Sequence, residues 1–140
     1  MVRIKKIEEQ ALDEIEELWG ELQEYHRAVN PAISSVPFAK RKKMLTSKRF
    51  AVYAASIKKK LVGFCIPSID NNDIGIIESI FVQSAHRNRS IGGTLLKKSL
   101  GWIRKQNIKI IHIGVIYGND RVFSFYEKFG FKPKAYILSN

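Results

Sequence analysis

Val82-Gln83-Ser84-Ala85-His86-Arg87-Asn88-Arg89-Ser90-Ile91-Gly92-Gly93-Thr94-Leu95-Leu96 joins an apolar run at residues 74–83 to a periodic one at 91–105. The first reads as a strand. The second places Ile91, Leu95, Leu96, Leu100 and Ile103 on one side of a helix, with Gly101 costing about 1 kcal/mol relative to alanine. Between them the chain is polar and basic. A helix start leaves backbone N–H groups without partners and carries partial positive charge, so it can hold an anion. Gly92 and Gly93 keep side chains off those amides, while Arg87 and Arg89 add charge beside them.

Upstream, residues 2–7 suggest a short first strand. From residue 11, Leu12, Ile15, Leu18, Trp19, Leu22, Tyr25 and Val29 recur at three- and four-residue steps, opposite Glu14, Glu17, Glu21 and Glu24. That pattern predicts an amphipathic helix ending near Asn30-Pro31. Residues 37–46 read as a shorter basic helix with Pro37 in its first turn. Residues 50–57 and 61–66, separated by Lys58-Lys59-Lys60, read as an antiparallel hairpin whose turn lacks Asn-Gly chemistry. Asp70-Asn71-Asn72-Asp73 is a turn signal ahead of the strand at 74–83. Downstream, a strand at 109–117, a helix at 120–129 and a closing strand at 131–138 complete the prediction.

The stretch from Val82 to Leu96 resembles the coenzyme A loop of the GNAT superfamily of acyl-CoA-dependent N-acetyltransferases, whose core pattern is Arg/Gln-x-x-Gly-x-Gly/Ala. Arg87 and Gly92 match its ends, and this chain carries Ser90 at the middle glycine and Asn88 at another frequent loop glycine. Asn119-Asp120-Arg121-Val122-Phe123-Ser124-Phe125-Tyr126-Glu127-Lys128-Phe129-Gly130-Phe131 is similar to the family's Asn-x-x-Ala-x-x-Phe-Tyr-x-Lys-x-Gly-Phe, with Val122 in place of alanine. Local physics gives each piece a role as well. Ser90 and Asn119 can cap their helices, and Gly130 can take the left-handed C-terminal conformation. The resemblance implies an α/β (α+β) fold with a mixed, mostly antiparallel central sheet flanked by helices on both faces. It implies coenzyme contacts at Ile80, Phe81 and Val82, at Arg87, Asn88, Arg89, Ser90, Ile91, Gly92, Gly93 and Thr94, and at Asn119 and Tyr126.

Acetyl transfer to an amine needs a neutral nitrogen to attack the thioester and a route for protons off nitrogen and onto the departing thiolate. Glu78 is the only acid between Ile74 and His112. Partial burial within Ile76-Ile77-Glu78-Ser79-Ile80-Phe81 would suit it as a base, and the alternative is a carboxylate satisfied by structural hydrogen bonds. Tyr126 matches the family tyrosine that protonates or hydrogen-bonds the coenzyme sulfur, with an amphipathic core tyrosine as the alternative. The resemblance further implies backbone N–H groups near a bulge around residues 80–82 that polarise the thioester carbonyl, and an acceptor region around Tyr25, His26 and residues 30–43. The mechanism implied is direct transfer in a ternary complex. Acetyl-CoA is the expected co-substrate and an amine the acceptor.

The 140 residues fit a single domain spanning 1–140, with enough length for one core. Apolar residues make up 45% and charged residues 26%, the composition of an ordinary globular protein. No apolar run nears the roughly 18 residues of a membrane span, and residues 1–6 lack a signal-peptide core, so a cytoplasmic protein without membrane association is expected. The lone Cys65, in an apolar run, excludes an internal disulfide and reads as a buried thiol. His26, His86 and His112 show no ligand spacing, so no metal is expected. The formal charge of +11 is uneven: residues 1–30 hold 4 basic and 8 acidic side chains, and the rest hold 20 basic and 5 acidic. Such a field attracts polyanions, coenzyme A included. A nucleic-acid-binding module rests on that charge alone and lacks interleaved aromatics; a non-catalytic acyl-CoA sensor and a homodimer stay open.

Overall fold

The computed structural model describes residues 1–87 and 89–140. Its sheet has the order β1-β2-β3-β4-β5, comprising β1 (Val2–Lys6), β2 (Tyr53–Ile57), β3 (Lys60–Ile69), β4 (Gly75–Val82) and β5 (Ile111–Ile113). The first four strands are antiparallel, and β5 joins β4 in parallel. The helices are α1 (Glu16–Val29), α2 (Phe38–Leu45), α3 (Ile91–Arg104) and α4 (Phe123–Glu127). No helix among the described residues is long and apolar enough to cross a membrane.

Two apolar clusters sandwich the sheet, as a sheet buried on both faces requires. On one face Leu18, Trp19 and Leu22 of α1 and Phe38 and Leu45 of α2 pack on Val52, Phe64, Ile66 and Phe81. On the other, Ile91, Leu95, Leu96, Leu100 and Ile103 of α3 and Tyr126 of α4 pack on Val62, Cys65, Ile69 and Ile77. Central β3 serves both cores, which explains why its sequence is almost continuously apolar. The parallel β4–β5 pair needs a crossover, and α3 supplies it. Gly75 lets that helix close on the sheet, because a Cβ there would lie 2.5 Å from the Ile103 side chain.

The expected hairpin turns on two residues, Lys58 and Lys59, with φ of 50° and 67°. Both take the left-handed region that a two-residue turn demands and that Asn-Gly would fill at less cost. The Asp70 turn forms as expected, its Oδ1 accepting the amides of Asn72 (2.8 Å) and Ile74 (3.0 Å).

Four expectations need correction. The helix expected from residue 11 begins as a 3-10 segment, Glu9–Ile15, before α1. The helix expected over 120–129 likewise divides into a 3-10 turn, Asp120–Val122, and the short α4. The strand expected over 109–117 pairs only at Ile111–Ile113, since β4 lies alongside for just three residues. The closing strand expected over 131–138 is absent: the segment has no regular structure, and Ile137 and Leu138 are 97% and 92% exposed. Apolar β-branched and aromatic residues report compatibility with a sheet, and they do not supply a neighbouring strand.

Candidate active site

Among the described residues, β4 beyond Ile77 has β3 on one side and no strand on the other, since its pairing with β5 ends at Ile77↔Ile113. At the same point its register with β3 slips: Ser79 faces Ile66 and Ile77 faces Pro67, so Glu78 is an extra residue. This bulge lies earlier than the expected position at residues 80–82. It re-aims the strand's side chains, as bulges do. Ile77 and Ile80, three apart, both meet the α3 cluster, whereas Phe81 meets the α1–α2 cluster.

Glu78 reaches toward α2. Its Oε2 accepts a 2.6 Å hydrogen bond from the hydroxyl of buried Ser68, and its Oε1 stands 3.9 Å from Nη1 of Arg41. Arg41 lies over the Trp19 ring, 5.3 Å from its centre. The carboxylate is therefore oriented by a neutral donor on one oxygen and left within sight of a cation on the other.

At the end of β4 the chain passes into the basic loop. Ser90 precedes α3 with φ of 63° and makes no side-chain cap, contrary to its expected capping role. The left-handed backbone explains why a glycine would sit there without strain. Asn88 lies outside the described residues. Arg89 and Thr94 are exposed, and Thr94 returns both its amide and its hydroxyl to Ser90 O. Ile91 is buried and anchors the helix start. Gly92 and Gly93 face α4, where an added Cβ would touch Phe125 at 3.5 Å and Phe129 at 3.4 Å. The helix start carries no acidic side chain to compete with an anion.

Arg87 turns back on the strand it follows. Its Nε donates to Val82 O at 2.9 Å, and its guanidinium lies 5.6 Å from the Tyr25 ring and 5.8 Å from the Phe81 ring. The Tyr25 hydroxyl donates to Asn119 Oδ1 at 2.8 Å and accepts from Arg121 Nη2 at 2.7 Å. Asn119 thus ties its loop to α1 instead of capping a helix, since the following turn has no side-chain cap. His26 packs beside Tyr25, and burial lowers its pKa. Gly130 takes the expected left-handed conformation at φ 89°.

Tyr126 is buried on the α3 side, its ring 5.3 Å from that of Phe125. Burial, and then neighbouring Cys65, push its phenol well above the ordinary value of 10.0. Burial also pushes the Cys65 thiol up to about 12, against the pull of Ser99 and the Ile66 backbone. Both groups are held protonated. Glu78 and Tyr126 consequently approach the sheet from opposite faces.

Three residues of the site escaped the sequence reading. Ser68 lies just past the predicted end of its strand, and Arg121 occupies a variable position of the Asn119 motif. Arg41 falls within the basic helix at 37–46 and the acceptor region at 30–43, where it was not singled out from its lysine neighbours. Its signal was present: Phe38, Arg41 and Leu45 stand at i, i+3 and i+7, the buried stripe of a helix.

The sequence profile of the Acetyltransferase (GNAT) family matches residues 8–131. The uncharacterized N-acetyltransferase MJ1207 of Methanocaldococcus jannaschii is 28% identical over 91 residues, a match covering 61% of this chain and 40% of that protein. The chain thus spans well under two thirds of that relative. Among solved structures, AAC(6')-Iy in complex with the bisubstrate analog CoA-S-monomethyl-acetylneamine has a TM-score of 0.78 at 15% identity, covering 100% of this chain and 97% of its own. An acetyltransferase of Trypanosoma brucei has a TM-score of 0.76 at 20% identity, covering 100% and 99%. At these identities the likeness is one of fold.

Proposed function

This chain belongs to the GNAT acetyltransferase family, and from that premise we propose that it moves an acetyl group from acetyl-CoA to a primary amine by direct transfer in a ternary complex. The observation that carries the reading is the unpaired edge of β4 beyond Ile77, which opens the sheet between Glu78 on one face and Tyr126 on the other.

In this reading the coenzyme pyrophosphate lies on the amides that begin α3, at Ile91 to Thr94, with Arg87 and Arg89 supplying countercharge. The arm of the coenzyme follows the free edge of β4 at Ile80, Phe81 and Val82, and the thioester reaches the bulge. Glu78 takes a proton from the acceptor ammonium. The neutral nitrogen attacks the thioester carbon, the C–S bond breaks, and the Tyr126 phenol gives its proton to the departing thiolate; the surplus proton on the new amide nitrogen leaves to solvent, from which the phenol is reprotonated. A phenol is protonated at neutral pH, as a proton donor to sulfur must be, and burial makes this one a weaker acid than an ordinary tyrosine. Oxyanion stabilisation falls to backbone amides at the Glu78 bulge.

Thiol release on mixing the protein with acetyl-CoA and a panel of amines tests the proposal. Turnover with at least one acceptor, giving equal amounts of thiol and N-acetyl product, is the expected result. Coenzyme binding without turnover on any amine would make the chain an acyl-CoA sensor instead. Salt-steep nucleic-acid affinity without coenzyme binding would overturn both.

A further inference from the structure

Arg41 is the least satisfied charged group near the site. Its side chain is only 19% exposed, yet among the described residues it makes no hydrogen bond. Nε is sealed from solvent without a partner. Nη1 lies 3.9 Å from Glu78 Oε1, which is beyond hydrogen-bond reach, and the Trp19 ring offers only its face. A guanidinium carries five N–H donors in a planar fork, and burying it unpaired is unfavourable. Glu78 does not close the gap, because Ser68 holds its other oxygen at 2.6 Å. The second acid of the region, Glu21, already accepts a hydrogen bond from Gln83 at 3.0 Å.

The site therefore presents one carboxylate oxygen and one guanidinium side by side, 3.9 Å apart, so that a ligand meets both from the same side. A ligand complementary to that pair carries a cation next to an anion. An ammonium and a carboxylate borne on the same carbon have the spacing to meet Oε1 and the fork together, through charge-assisted bonds of about 2.8 Å each. A polycationic acceptor would instead set a positive charge against Arg41. We propose that the acceptor is a small α-amino acid, with Arg41 holding its carboxylate and Glu78 facing its amine. This rests on the acetyl-transfer reading and adds to it the chemical class of the acceptor.

The test compares L-leucine, L-phenylalanine and L-glutamate with their α-amides and with kanamycin, using wild-type protein, Arg41→Gln and Arg41→Lys. The amides have the less basic, more readily deprotonated amine, so uncatalysed reactivity favours them. A preference for the free acids must come from the protein. The expected result is kcat/KM at least about tenfold higher for the acids, carried mainly in KM. In Arg41→Gln that ratio should collapse toward one, and Arg41→Lys should restore part of it. Preference for amides or kanamycin in the wild type overturns the assignment, as does an equal loss on acids and amides in Arg41→Gln. Calorimetric titration of the same acids into CoA-loaded protein separates the two readings. Binding that Arg41→Gln abolishes, without any acetyl transfer, keeps the carboxylate anchor and removes the transferase reading; no binding to the wild type removes the anchor.

Discussion

On the α3–α4 side of the sheet, Cys65 and Tyr126 sit among Ile77, Leu95, Leu96 and Leu100, and burial holds both in their protonated forms. On the α1–α2 side, Glu78, Ser68 and Arg41 meet over Trp19, where a carboxylate and a guanidinium both keep some access to solvent. In the proposed reaction one face supplies a proton and the other accepts one. The contrast teaches why the sheet opens where it does. A single extra residue in β4 sends Glu78 to the charged face while Ile77 and Ile80 stay with the apolar one.

Four experiments would break or sharpen that division. Glu78→Gln removes the proposed proton acceptor from the charged face and should lower kcat by about 10²–10⁴ while leaving the acetyl-CoA Kd within threefold; steady-state rates with a titration of the coenzyme check it, and an unchanged kcat would remove Glu78 from the mechanism. Tyr126→Phe keeps the packing of the apolar face and removes its proposed proton donor. It should cost kcat about 10², at the low end of the same range, because a thiolate departs without full protonation.

The apolar face also predicts a pH dependence of stability. The folded pKa of Cys65 is raised from 9.0 to about 12, so the native chain keeps a proton that the unfolded chain has lost. Stability should be fully present below pH 9 and fall above it by about 1.4 kcal/mol per pH unit. Tyr126 adds to the fall above its ordinary 10.0. Urea midpoints between pH 8 and 10 read the slope, and Cys65→Ala should flatten it; a slope that persists in that variant would refute the assignment. The smallest effect is expected at the loop. Ser90→Gly relieves a left-handed non-glycine residue and should stabilise the fold by about 0.5–1 kcal/mol, measured by urea unfolding, without weakening coenzyme binding. A loss of stability would mean that the serine side chain holds the loop.

Legibility differed by element. The helical stripes of α1 and α3 were readable because i, i+3 and i+4 spacing is local, and all of those side chains but Tyr25 and Val29 are buried in the two cores. The basic loop and the Asn119 segment with Tyr126 were legible as motifs, and Glu78 stood out as the only acid between Ile74 and His112. Arg41 hid in a run of like charges, and the network of Tyr25, Asn119 and Arg121 joins residues 94 and 96 positions apart. Residues 131–138 misled for the opposite reason: their composition suits a strand, but a strand exists only where another lies beside it.

What the sequence determined by itself was therefore the order of elements from β1 to α4, without the closing strand it also suggested, and the residues that the proposed reaction draws on. Each of these depends on neighbours within a turn or two of chain. Only the tertiary structure decided that β4 bulges at Glu78, that its pairing with β5 stops after three residues, and that Arg41 faces Glu78 across 3.9 Å. Register between strands and contact between a helix and a sheet are set by packing across the whole core, and no local pattern encodes them.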